Sequence, residues 1–224
     1  MTQRTQADCW FHNGDDVLKP IWYQNPQATP FELWEFKHPC SNIRRYNGGL
    51  DWTLTHHLAL GVRLCAVRFG TDHLAKLIAG YYASHDLHET IVGDMVSGMK
   101  KHVPEYNRLE NMWEVYVHDQ IGLPLDRSIS PRAVRELDLM ALVMEMTCLK
   151  HPAAHIAVEQ TGIEPTAEWT EIFWEVQRLN SDECWDLIVD AINTAREELN
   201  GDKSSSNKDR HCSPGRDYPE HQQQ

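Results

Sequence analysis

Residues 73–94 read HLAKLIAGYYASHDLHETIVGD, and the expected fold follows from this stretch. Apolar side chains recur in it at intervals of three and four residues, at Leu74, Leu77, Ile78, Tyr81 and Tyr82. This spacing predicts a helix with one buried face. The same face ends in His85 and Asp86, and Glu89 follows one turn later. The stretch therefore predicts a core helix that ends in imidazole and carboxylate groups.

The sequence on either side has the same helical period and brings two more polar groups to buried faces. Upstream, one face contains Leu54, His57, Leu58, Gly61, Leu64 and Cys65. Downstream, Ser130-Pro131 predicts a helix start, with the serine as N-cap and the proline in the first position. On that helix Asp138 shares a face with Val134, Ala141, Leu142 and Glu145. A carboxylate among apolar neighbours is unusual unless it has a partner.

The rest of the chain completes an all-α, single-domain prediction. Residues 1–40, with four prolines and several aromatics, predict an irregular N-terminal arm with one short helix around Phe31 to Lys37. Residues 41–200 are predicted to form a helical bundle. One predicted helix has Pro104 in its first turn, and another begins near Thr166 and resumes at Ser181. Gly201 is predicted to end the last helix, and 201–224 to be a disordered tail. No stretch predicts a sheet.

The composition restricts the function. The formal charge of −12 argues against non-specific binding to nucleic acid duplexes, which needs a cationic surface. No apolar run is long enough for a membrane span, so we expect no membrane partner. The N-terminus lacks the apolar region of a signal peptide, and the six cysteines are scattered. We therefore expect a cytoplasmic protein with reduced thiols.

The imidazoles and carboxylates favour a metal site. His57, His85, Asp86 and Asp138 come from three segments and form a mixed nitrogen and oxygen set suited to a borderline divalent metal. A buried charge must be paired or must coordinate a metal. The alternative is a buried histidine–aspartate network without metal. A divalent metal site with nearby carboxylates predicts a metal-dependent hydrolase.

Three stretches resemble a known family: RRYNGGLDWTLTHHLAL, YYASHDLHETIVGDMVSGMKKHVPEYNRLE and VRELDLMALVMEMTCLK. They are similar to the HD-domain phosphohydrolases, in the branch of bacterial 5'-deoxynucleotidases and phage deoxynucleotide triphosphohydrolases. The resemblance covers roughly residues 42–150. It implies an HD-type helical bundle and one divalent ion (Co, Mn, Zn, Fe or Mg), with a second ion bound alongside the substrate phosphates as a further option.

The resemblance also implies residue roles. The metal ligands would be His57, His85, Asp86 and Asp138.

The remaining roles concern catalysis and substrate binding. Glu89 would orient or deprotonate the attacking water, and Asp94 would assist it or hold the substrate. Arg45 and Lys100 would contact phosphate. Tyr46, beside Arg45, is a candidate for stacking on a base, because every base offers a π-face.

The sequence leaves the substrate open. Gly49-Leu50-Asp51 and the proline-free residues 95–99 depart from the family pattern beside the expected pocket. Lys100-Lys101-His102 favours a triphosphate over a monophosphate. The main prediction is a phosphohydrolase acting on small (deoxy)nucleotides, which we expect to be a homo-oligomer. The alternative is a non-catalytic nucleotide- or metal-binding regulator on the same scaffold.

Overall fold

The computed structural model describes residues 7–14, 18–125 and 131–208. These residues are mostly helical, which confirms the all-α prediction. The strands are β1 Cys9–His12 and β2 Leu18–Ile21. The α-helices are α1 Lys37–Asn42, α2 Leu54–Phe69, α3 His73–Ser84, α4 Glu89–Val92, α5 Ser97–Lys100, α6 Pro104–Gln120, α7 Pro131–Cys148, α8 Ala154–Thr161, α9 Ala167–Arg178 and α10 Ser181–Lys208. Short 3-10 helices cover Pro26–Ala28, Leu33–Phe36 and Tyr46–Gly48.

Helix α2 lies at the centre of the bundle, in contact with α3, α7, α9 and α10. Two glycines allow the close approaches around it. A Cβ on Gly61 would come within 1.9 Å of the Tyr82 ring, so α3 can place this aromatic directly against α2. A Cβ on Gly80 would lie 2.3 Å from the Cβ of Ala195, so α3 packs tightly on α10. The burial of apolar side chains at these contacts is the main force that holds the helices together.

The N-terminal arm contains a small hairpin that was not predicted. Strands β1 and β2 pair antiparallel, from Cys9 opposite Ile21 to His12 opposite Leu18. Only Phe11 and Ile21 have buried side chains in these strands, and Pro20 lies within the second strand, opposite Trp10. Strands this short show too little alternation to be recognised from the sequence. The helix expected around Phe31 to Lys37 is a 3-10 turn that continues into α1.

Other boundaries agree with the predictions or extend them. Helices α6 and α7 begin at Pro104 and Pro131 as expected, while the N-cap prediction for Ser130 lies outside the described residues. Helix α8 was missed. Helix α10 continues through Gly201 to Lys208 instead of ending at the glycine, because a glycine weakens a helix without forcing it to stop. The rest of the predicted tail, 209–224, lies outside the described residues.

Two further expectations concern the chain as a whole. Among the residues that the structure describes, no helix is both long and apolar enough to cross a bilayer. The cysteines in these ranges, Cys9, Cys40, Cys65, Cys148 and Cys184, are free thiols.

Candidate metal centre

Three core helices bring the four predicted ligands together. His57 lies in the first turn of α2 and is fully buried. His85 and Asp86 follow the last residue of α3, in the turn that leads to α4. Asp138 lies on α7, and its side chain is 38% exposed. This side chain is therefore more exposed than its predicted position on an apolar helix face suggested. The ligand set therefore has a protected side at His57 and an open side at Asp138.

The distances between these groups fit a single ion. Nε2 of His57 lies 3.3 Å from Oδ1 of Asp138, and Nε2 of His85 lies 3.9 Å from the same oxygen. Ligand atoms of these three residues all lie within 4.8 Å of one another. Oδ2 of Asp86 is 3.2 Å from Nε2 of His85 and 3.9 Å from Nε2 of His57. The cluster of His57, His85 and Asp138 could hold a metal ion, and Asp86 lies beside it.

The outer nitrogen of each imidazole is held by the protein, which turns the inner nitrogen toward the cluster. Nδ1 of His85 donates to the carbonyl oxygen of Tyr82 at 2.6 Å, and its Nε2 is buried without a hydrogen bond. Nδ1 of His57 donates to Oε1 of Glu145 at 2.6 Å. Metal-binding histidines usually show this arrangement, because the outer hydrogen bond fixes the tautomer and the ring orientation. The donor set therefore fits a divalent ion.

The electrostatics of the cluster point the same way. Burial alone would lower the pKa of His85, but the charge of Asp86 raises it to about 9. Burial opposes ionisation of Asp86, but the charge of His85 holds its pKa well below the usual range. Hydrogen bonding to His57 likewise lowers the pKa of Asp138 against the effect of burial. The raised pKa favours a proton on His85, and a divalent cation would displace that proton on binding.

Glu145 was predicted to lie on a buried face of α7 without a role, and it contacts the candidate site. Its carboxylate is fully buried on α7, two turns after Asp138. Besides the His57 ring, it accepts hydrogen bonds from the Tyr46 hydroxyl at 2.8 Å and from Nε of Arg45 at 3.3 Å. Burial would raise its pKa, but the charges of Arg45 and His57 lower it to about 2. Its seven-residue spacing from Asp138 was the available signal, because such residues share a helix face.

The two residues predicted to contact substrate before α2 are already engaged with the protein. Arg45 is mostly buried, and its Nη1 lies 4.0 Å from Oδ2 of Asp86, so the guanidinium borders the metal cluster. The Tyr46 ring packs against His151 at 5.4 Å between ring centroids. Phosphate binding by Arg45 and base stacking by Tyr46 remain predictions.

The residues predicted for catalysis follow Asp86 in the chain. Glu89 begins α4 and is buried, and its Oε2 has no hydrogen-bond partner. Burial, and then the charges of Asp86 and Asp94, raise the pKa of Glu89 to about 9. Nζ of Lys100 lies 3.9 Å from Oε1 of Glu89. Asp94 is exposed. A buried carboxyl group with a raised pKa beside a candidate metal site is typical of a proton-transfer group.

Lys100 has a partner that was not predicted. Its ammonium group donates a hydrogen bond to Oε1 of Glu110 on α6. Burial would lower the pKa of Lys100, but this hydrogen bond and the charge of Glu110 raise it. Asn107, one turn earlier on α6, donates to the Lys100 carbonyl oxygen at 3.1 Å. Helix α6 therefore holds Lys100 near Glu89.

Comparison with known proteins adds no family to this geometry. No family model matches the chain. No curated protein sequence matches it either.

Proposed function

We propose that this protein is a divalent-metal-dependent phosphohydrolase that acts on small (deoxy)nucleotides. The observation that carries the proposal is the convergence of two imidazoles and a carboxylate, because ligand atoms of His57, His85 and Asp138 all lie within 4.8 Å of one another. Nε2 of His85 is buried without a hydrogen bond of normal geometry, although Oδ2 of Asp86 lies 3.2 Å away, and a bound cation would satisfy both groups. The resemblance to HD-domain phosphohydrolases, which rests on the same residues, supports the choice of reaction.

The surrounding residues suit phosphate-ester hydrolysis. A divalent ion held here would supply a hydroxide nucleophile at neutral pH, by lowering the pKa of a bound water. Glu89 loses its proton more readily beside a dication, and it can then accept a proton from that water. Nη1 of Arg45 lies 4.0 Å from Oδ2 of Asp86, and Nζ of Lys100 lies 3.9 Å from Oε1 of Glu89. The charges of Arg45 and Lys100 can stabilise the negative charge that develops on the phosphate oxygens.

One observation favours the second candidate, a regulator that binds metal or nucleotide without catalysis. Both cations proposed to bind phosphate already have carboxylate partners, Glu145 for Arg45 and Glu110 for Lys100. A substrate phosphate must compete with these partners. If it does not compete, the cluster binds metal but turns over no nucleotide.

A substrate panel tests the proposal. The purified full chain is incubated with Co²⁺, Mn²⁺, Zn²⁺ or Mg²⁺ and each nucleoside monophosphate and triphosphate, and the products are separated by chromatography. Release of phosphate from monophosphates, or of tripolyphosphate from triphosphates, is the expected result and identifies the substrate class. The matched variants are Glu89→Gln, which should be inactive, and Glu159→Gln, an exposed position on α8, which should be active.

The negative outcomes are also informative. Metal binding without turnover of any nucleotide would reject the enzyme and favour the regulator. If neither the four metals nor any of the nucleotides binds, both are rejected in favour of a histidine–aspartate network.

A further inference from the structure

We propose that Glu145 is a positioning residue of the metal centre, and that it couples the ligand His57 to the segment containing Arg45 and Tyr46. Residues 44–48 are called the arginine–tyrosine segment below. This inference rests on the metal-binding part of the proposed function and is independent of which nucleotide is hydrolysed.

The two carboxylate oxygens of Glu145 accept hydrogen bonds from different partners. Oε1 accepts the hydrogen bond from Nδ1 of His57, at 2.6 Å. Oε2 accepts hydrogen bonds from the Tyr46 hydroxyl at 2.8 Å and from Nε of Arg45 at 3.3 Å. The side chain is completely buried, so water cannot take the place of these partners. A single carboxylate therefore connects α7, α2 and the arginine–tyrosine segment.

The contact with His57 determines which nitrogen can serve the metal. An ionised carboxylate only accepts hydrogen bonds, so Nδ1 of His57 must carry a proton. Nε2 is then the nitrogen that can bind a cation; it lies 3.3 Å from Oδ1 of Asp138 and 3.2 Å from the Tyr82 hydroxyl. The negative charge of Glu145 also makes the imidazole a stronger donor to a metal.

The contact with Tyr46 explains an unusual backbone conformation. Tyr46 has a φ of 55°, in the left-handed region that residues with a side chain rarely adopt. Such a conformation persists only where surrounding contacts enforce it. Here the hydroxyl is fixed by Glu145, and the ring packs on His151. Through this segment Glu145 also sets the position of Arg45, 4.0 Å from Asp86.

A positioning role and a merely structural role predict different results for the same variants. Gln in place of Glu145 keeps a hydrogen-bond acceptor for His57 but removes the charge. Glu145→Met removes both the hydrogen-bond acceptor and the charge and keeps a similar side-chain volume. If Glu145 positions His57, metal affinity should fall in graded steps; if the residue only fills the core, stability should fall while the metal affinity of the folded molecules is unchanged.

The experiment uses the full chain and Co²⁺ as the probe. Calorimetry gives the dissociation constant and the visible absorption spectrum reports the geometry of bound Co²⁺, both corrected for the folded fraction measured by circular dichroism. We expect Glu145→Gln to weaken Co²⁺ binding by roughly tenfold and Glu145→Met by roughly a hundredfold, each with an altered spectrum. Tyr46→Phe should have a smaller effect, since it removes a contact only indirectly connected to His57. Glu159→Gln is the control and should match the wild type.

Wild-type affinity and an unchanged spectrum in Glu145→Gln would overturn the proposal, even if Glu145→Met fails to fold. Absent hydrolysis with the graded Co²⁺ effects intact would reject the proposed enzyme and retain the positioning role. If the wild type binds neither Co²⁺ nor Mn²⁺, Zn²⁺ or Mg²⁺, the positioning role is overturned together with the metal-binding part of the proposed function.

Discussion

The candidate site has two sides that are built differently. The metal side contains His57, His85, Asp86 and Asp138, and the catalytic side contains Glu89, Asp94 and Lys100. The metal side depends on α2, α3 and α7, which have 16, 12 and 18 residues. The catalytic side depends on α4 and α5, which have four residues each. Gly93, with a φ of 83°, lies between these short helices.

The difference shows how each side is held in place. On the metal side, packing of long helices and hydrogen bonds to the outer imidazole nitrogens fix the ligands in advance. On the catalytic side, Glu89 keeps a buried oxygen without a hydrogen bond, and Lys100 is held mainly by Glu110. We infer that substitutions on the metal side change cation binding and stability, whereas those on the catalytic side change turnover.

The largest expected effect separates a ligand from a proton-transfer group. Asp138→Asn removes a charged ligand and should lower metal content strongly. Glu89→Gln should retain the metal and lower turnover by a factor on the order of 10² to 10⁴, because it removes only the proton acceptor. Elemental analysis and steady-state kinetics measure the two quantities. If Glu89→Gln loses metal as completely as Asp138→Asn, the two sides are not distinct.

The next prediction concerns Arg45, which lies between the metal cluster and Glu145. Arg45→Ala should lower turnover by about a hundredfold for every accepted nucleotide, since a guanidinium that binds phosphate does not distinguish bases. Arg45→Lys should recover part of the loss, because an ammonium group cannot form the two parallel hydrogen bonds. Turnover is measured per folded molecule. Near-wild-type turnover with a lower melting temperature would show that Arg45 serves the structure alone.

Substitution of two glycines tests whether the helices of the metal side pack more tightly than those of the catalytic side. A Cβ on Gly61 would overlap the Tyr82 ring, whose hydroxyl lies 3.2 Å from Nε2 of His57. Gly61→Ala should therefore cost about 1–3 kcal/mol of stability and weaken metal binding. Gly98, on α5, has no atom within 4 Å of the corresponding position, so Gly98→Ala is the matched control. Chemical denaturation measures both, and equal stabilities would contradict the assigned packing.

The last prediction concerns the cost in folding stability of burying the Glu89 carboxyl group. Its pKa of about 9 in the folded protein exceeds the ordinary value of 4.5. The unfolded chain therefore releases this proton more readily, and the carboxyl group destabilises the fold increasingly as pH rises from 4.5 toward 9. In chelator-treated protein, Glu89→Gln should raise the free energy of unfolding by about 3 kcal/mol at pH 8 and by less than about 1 kcal/mol at pH 5. A difference of the opposite sign would reject the raised pKa.

Much of the site follows from local patterns. The three- and four-residue spacing of apolar side chains predicts that His57 lies on the buried face of α2. The same spacing predicts that the buried face of α3 leads to His85 and Asp86. Asp138 could be selected because it interrupts an apolar face of α7. These inferences succeed because a helix repeats every 3.6 residues, so the sequence alone defines which side chains share a face.

The sequence by itself determined the helical fold and the chemistry of the candidate ligands, because both depend on neighbours within a few turns. Only the tertiary structure decided that Glu145 holds His57 across 88 positions of the chain and that Glu110 holds Lys100. It also decided the pairing of β1 with β2. These contacts depend on how separate elements pack on one another. Local periodicity defines the face of each helix, and the packing of whole helices defines which faces meet.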